Sequence, residues 1–114
     1  MIAWIACIIG AYVVGSIPFG VLIAQSQGVD IRARGSRNIG ATNVGRVLGR
    51  PFGIACFVLD VLKGAAPVAI VGLIMTTFGH SPLDIASTAL WMWMLVAIAA
   101  VIGHMYSVFL GFAG

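Results

Sequence analysis

Two long stretches of this chain contain no Asp, Glu, Lys or Arg: residues 1–24 and residues 86–112. Each is long enough to cross a hydrocarbon core of about 30 Å, which takes about 20 helical residues. A helix in water needs a polar face, so segments like these are solvated by lipid. Residues 52–78 read as a further span, in which Asp60 and Lys63 are the charged positions. Charged residues make up 8% of the chain, against about 25% in soluble domains. The pattern predicts an all-α integral membrane protein with about three transmembrane helices. With 114 residues it forms a single domain.

The first span has no positively charged n-region and outlasts a signal-peptide core of about 7–15 residues, so it reads as a retained helix. Pro18, flanked by Gly15, Ser16 and Gly20, predicts a kink or local opening near its end, with the freed backbone groups needing partners. Residues 25–51 read as a polar loop. Residues 79–87 read as a short connector with turn signals at Gly79 and Pro82. The first loop carries Arg32, Arg34, Arg37, Arg46 and Arg50, and the connector carries no Lys or Arg. The positive-inside rule then puts the loop in the cytoplasm, with the N-terminus and the connector outside. Trp91 and Trp93 fit an interfacial position. Cys7 and Cys56 lie in apolar segments and read as small buried hydrophobes, with no disulfide framework or metal pattern.

Residues 30–50 concentrate the polar chemistry, holding five of the six basic residues and four glycines. From Gly35 to Asn43, glycines let backbone N–H groups face a ligand. Ser36, Asn38, Thr42 and Asn43 add neutral donors, and the arginines add a planar fork suited to phosphate. A helix starting between Asn38 and Thr42 aims its partial positive charge at the same spot. The loop is an anion site at a bilayer surface. Gly35 to Thr42 nearly spells a P-loop, but Ala41 stands where that motif needs its phosphate-binding lysine, which argues against nucleotide hydrolysis. Arg32, Arg34 and Arg50 read as topology signal and anionic-lipid contacts. Arg46, one helical turn past Thr42, reads as a ligand contact.

Asp60 and Lys63, three residues apart on one helix face, can form an ion pair. Ionisable groups inside a span are costly and usually functional. Asp60 is expected to orient Lys63 or the loop arginines. His104 matches Lys63 in depth and is expected to close the same pocket. No role falls to His80.

In order along the chain, these residues resemble the motifs of the bacterial acyl-phosphate-dependent glycerol-3-phosphate acyltransferases. Gly15-Ser16-Ile17-Pro18-Phe19-Gly20 is similar to the end of that family's first helix. Asp30-Ile31-Arg32, Gly35-Ser36, Asn38-Ile39-Gly40-Ala41-Thr42-Asn43-Val44 and Arg46 resemble its first signature loop. Leu59-Asp60-Val61-Leu62-Lys63-Gly64 resembles its second-helix motif. The segment from Gly103-His104 to Gly111-Phe112 resembles the opening of the next. The resemblance covers nearly the whole chain. Glycine is usual where Arg37 stands, and proline where Ser107 stands. The family continues F-K-G-G-K-G where this chain reads Phe112-Ala113-Gly114.

The resemblance implies part of a roughly seven-helix membrane fold, with residues 1–114 as a partial acyltransferase domain of the bacterial inner membrane. It implies transfer of the acyl group of an acyl phosphate to the 1-hydroxyl of glycerol 3-phosphate, giving lysophosphatidic acid and phosphate in phospholipid synthesis. It implies no cofactor and no metal. The implied partners are glycerol 3-phosphate, acyl phosphate and membrane lipid, with no nucleic acid. Ser36, Arg46, Lys63 and His104 are the candidate catalytic residues. Gly35, Asn38, Gly40, Thr42, Asn43 and Asp60 are the candidate substrate-binding residues. Two alternatives stand beside this reading. One is an inactive or partner-dependent truncated membrane protein. The other is a small multidrug-type exporter, which relies on a membrane-embedded Glu in its first helix; residues 1–24 contain none.

Overall fold

A computed structural model describes residues 2–79 and 87–112. Its helices are α1 (Ile2–Gly15), α2 (Phe19–Ser26), α3 (Ala41–Leu48), α4 (Arg50–Thr77) and α5 (Thr88–Met105). Short 3-10 turns occupy Ile31–Ala33 and Val108–Leu110. Among the described residues there is no strand. The connector residues 80–86, with Pro82 and His80, lie outside the described residues, as do Ala113 and Gly114.

Three helical segments are long and apolar enough to cross a membrane: Ile2–Ser26, Arg50–Thr77 and Thr88–Leu110. Ile2, Leu73 and Phe78 are 85%, 70% and 76% exposed. Lipid solvates such side chains, and water would make an outer surface like this one adhesive.

The first span is two helices rather than one. Pro18 has no N–H to continue the hydrogen-bond ladder, and residues 16–18 are non-helical between α1 and α2. The polar loop is also more ordered than a simple connector. Its second half is the helix α3, with Gly40 at the N-cap. Gly49, at φ 110°, separates α3 from α4. The second long span therefore begins at Arg50, with Pro51 in its first turn, where proline's fixed φ suits a helix start. At α5 the Ser87 hydroxyl caps the helix by accepting the Ala89 N–H at 3.1 Å.

Small residues let the long helices approach. A Cβ on Gly15 would collide with the Ala100 carbonyl, and one on Gly103 with the Tyr12 carbonyl, so α1 and α5 meet backbone to backbone. Ala11, Val71, Val96, Ala99 and Ala100 form the core of this bundle. A second core of Val21, Ala24, Ile31, Val44 and Cys56 lies where α2, the 3-10 turn, α3 and the start of α4 meet. That second core carries the polar loop.

Candidate active site

Asn43 organises the loop. It lies in the first turn of α3 and is 1% exposed. Its Oδ1 accepts the Ser36 N–H at 3.0 Å. Its Nδ2 donates to the carbonyls of Arg34 at 3.1 Å and Asn38 at 2.8 Å. The carboxamide is thereby committed to the backbone on both sides of the loop tip. Gly35, at φ 56°, packs so closely on the Asn43 Oδ1 that a Cβ there would clash. The Asn38 Oδ1 accepts the Gly40 N–H at 2.8 Å, and the Ser36 Oγ accepts the Asn38 N–H at 3.4 Å. Arg37 adopts φ 65°, a left-handed conformation that favours glycine.

The fixed loop presents the start of α3 to the long helices. The α-helical ladder begins with Val44 N–H to the Gly40 carbonyl, at 3.0 Å. The preceding N–H groups, at Ala41 and Thr42, have no carbonyl four residues back in the helix. Gly40, Ala41 and Thr42 form one wall of a cavity of about 440 Å³. Phe57, Asp60, Val61, Lys63 and Gly64 of α4 form a second wall, and Ala100, Val101 and His104 of α5 a third. Its lining is polar at Thr42, Asp60, Lys63 and His104 and apolar at Phe57, Val61, Ala100 and Val101. A second cavity, of about 500 Å³, shares Gly40 and His104 and reaches Asn38 and Tyr106.

Lys63 is the buried charge of the site, 6% exposed. Its Nζ pairs with the Asp60 Oδ1 at 3.1 Å and donates to the Ile17 carbonyl at 2.9 Å. It also lies 5.9 Å from the centre of the Phe19 ring, within cation–π range. Cys56 is fully buried, with Sγ 3.5 Å from the Asp60 Oδ2. Both cysteines are free thiols.

The structure therefore brings Gly40, Thr42, Asp60, Lys63 and His104 to one cavity, and Asn38 to its neighbour. Gly35 and Ser36 sit behind, in the exposed loop. Asn43 is placed as the loop's internal brace. Arg46 is exposed on the last turn of α3 and lies outside both cavities. The Ile17 carbonyl and the buried Ser16 and Ser107 are not among the site residues the sequence points to. The Ser107 Oγ donates to the Ser16 carbonyl. The signal available for them was the proline break, which exposes carbonyls without naming their partners.

The sequence profile of the family described as "Glycerol-3-phosphate acyltransferase" matches residues 5–114. A glycerol-3-phosphate acyltransferase of Geobacter metallireducens is 50% identical over 114 residues, covering 100% of this chain and 53% of the relative. The Aquifex aeolicus protein of the same name is 45% identical, over 94% of this chain and 50% of its own length. The crystal structure of PlsY, an integral membrane glycerol 3-phosphate acyltransferase, in its glycerol 3-phosphate form has a TM-score of 0.81 at 45% identity. It covers 98% of this chain and 50% of that one. Its lysophosphatidic acid form gives a TM-score of 0.79 at 44% identity. The chain spans about half the length of these relatives. It is an all-α, multi-pass membrane protein and belongs to the glycerol-3-phosphate acyltransferase family.

Proposed function

We propose that this chain carries the glycerol 3-phosphate site of an acyltransferase that uses an acyl phosphate as donor. In that reaction the 1-hydroxyl oxygen attacks the acyl carbonyl and a new ester C–O bond forms. The mixed-anhydride C–O bond breaks, phosphate leaves with the electron pair, and the hydroxyl proton is released. The products are lysophosphatidic acid and inorganic phosphate. The donor is already activated, so the protein's work is to position two anions and stabilise developing charge.

The observation that carries this reading is the cavity itself. It is lined by a helix start, a buried lysine and the apolar side chains of two lipid-solvated helices. That combination suits a reaction joining a polar phosphate to an acyl chain. In this reading Asn38 and Thr42 contact the substrate phosphate, Ser36 supports Asn38 by accepting its N–H, Arg46 attracts the anion from the exposed face of α3, and Gly35 and Gly40 keep the loop backbone close. Asn43 holds the loop in shape. Lys63 supplies positive charge, Asp60 orients it, and His104 closes the cavity from α5. The arginine-rich loop faces the cytoplasm of a bacterial inner membrane, with the N-terminus outside.

The test uses the 114-residue chain in lipid nanodiscs. Radiolabelled glycerol 3-phosphate should bind saturably, inorganic phosphate should compete, and glycerol should not. Adding a long-chain acyl phosphate should give labelled lysophosphatidic acid. Absence of glycerol 3-phosphate binding by the folded chain contradicts the reading, as does binding of glycerol equal to that of its phosphate.

A further inference from the structure

The interruption of the first span leaves two successive carbonyls, those of Ser16 and Ile17, beside the other spans. Each has a side-chain partner from a different part of the chain, and the Ile17 carbonyl also accepts the Phe19 N–H at 3.0 Å. Lys63 of α4 donates to the Ile17 carbonyl. Ser107, just beyond α5, donates to the Ser16 carbonyl. Both donors are buried. The junction is tightened by the Tyr12 hydroxyl, which donates to the Tyr106 carbonyl at 2.7 Å, and by the close approach of Gly103 to the Tyr12 carbonyl.

The elements that leave this junction back one wall of the cavity and form another. Downstream of the break, α2 carries Gly20, where a Cβ would collide with the Ile39 carbonyl. Ile39 precedes Gly40, the first residue of the loop wall. On the other side, Ser107 follows His104 by one short turn. A carbonyl without a partner is costly in a membrane, where no water replaces the missing donor. Pro18 sets where the break falls, and the donor side chains hold it against α4 and the end of α5.

We propose that Ser107 and Lys63 are positioning residues: by holding the carbonyls of Ser16 and Ile17 they fix the separation of the Gly40–Thr42 wall from His104. The proposal rests on the reading of this cavity as the substrate site. Asp60 supports it by pairing with Lys63. Ser107 is the more telling of the two, because proline can replace it without a side-chain donor. The same turn accepts proline in shape, since Ser107 has φ −64°.

The experiment places spin labels on cysteines introduced at Ala33 in the loop and Met105 at the end of α5. Both sites are exposed. Cys7 and Cys56 are replaced, and the full chain is held in nanodiscs. Pulsed dipolar spectroscopy then reads the distribution of label separations, with melting temperature followed in parallel. Ser107→Ala and Lys63→Met should each roughly double the width of the distribution. Ser107→Thr and Lys63→Arg, which keep a donor, should restore it. Ser107→Pro is the second donor-free variant and should broaden it like the alanine variant. In the same samples the donor-free variants should weaken glycerol 3-phosphate binding roughly tenfold. Donor-free distributions that superimpose on the wild type overturn the proposal. So does broadening by threonine and arginine equal to that by alanine and methionine, since that reports packing alone. If the wild-type chain binds no glycerol 3-phosphate, the functional reading fails while the label distances still decide the positioning role.

Discussion

The loop of residues 34–43 and the break of residues 16–18 both leave the helical hydrogen-bond ladder, and their backbone groups are satisfied differently. In the loop one side chain does most of the work: Asn43 reaches groups five, seven and nine residues away. At the break the Phe19 N–H serves the Ile17 carbonyl locally, but the side-chain donors come from 46 and 91 residues away, on the other two spans. The loop is thus close to a local unit, shaped by its own sequence. The break exists in its observed form only when three spans are packed. Damage to the loop should stay in the loop, and damage to the break should spread through the bundle.

The largest expected effect breaks the long-range side of this contrast. Lys63→Met leaves the Asp60 carboxylate without its cation and removes the long-range donor from the Ile17 carbonyl, at a cost of about 3 kcal/mol. Thermal unfolding in nanodiscs should show a loss of that size, cooperative across all three spans. A melting temperature equal to wild type would remove the break's dependence on α4. Asn43→Ala should come next, costing about 2 kcal/mol for the loop groups left unpaired. Hydrogen exchange should rise at Ser36 and Gly40 and stay unchanged in α5. Exchange spreading into α5 would erase the distinction between the regions. Gly103→Ala adds a Cβ against the Tyr12 carbonyl and the Ser16 nitrogen, for an overpacking cost of about 1–3 kcal/mol. It should lower the melting temperature and disturb the Tyr12–Tyr106 contact while leaving the loop ordered.

Two smaller effects sharpen the loop side. Arg46→Ala should raise the apparent Kd for glycerol 3-phosphate about tenfold, equivalent to about 1.4 kcal/mol, with no change in melting temperature. Unchanged binding would take Arg46 out of the site. Arg37→Gly should stabilise the chain by about 1 kcal/mol, because φ 65° is a conformation glycine adopts freely. A drop in stability would mean that the Arg37 side chain holds the loop by a contact that outweighs its backbone strain.

The contrast also explains what could be read from the sequence. Charge-free segments declare the spans, because lipid admits little else, and the spacing of glycine, serine and asparagine declares the loop. Its internal bonds join residues fewer than ten positions apart, so a local pattern carries them. Even there, Asn43 was expected to meet substrate and instead binds backbone, since a side-chain amide serves either purpose equally well. Pro18 announced an interruption and the need for partners. It could not name Lys63 and Ser107, because those pairings depend on how α4 and α5 pack against α1. Asp60 and Lys63 were legible as a pair through their three-residue spacing. The burial of Lys63 against Ile17 was legible only in three dimensions.

Whether the polar side of the α3–α4–α5 cavity holds the phosphate of glycerol 3-phosphate is measured most directly by solid-state NMR in lipid. The probe is dipolar dephasing between the ligand's phosphorus and backbone nitrogens labelled at Ala41, Thr42 and, as a distant control, Ala11. The structure and family together predict strong dephasing at Ala41 and Thr42 and none at Ala11. Saturating ligand with no dephasing at Ala41 and Thr42 would contradict it and move the phosphate elsewhere.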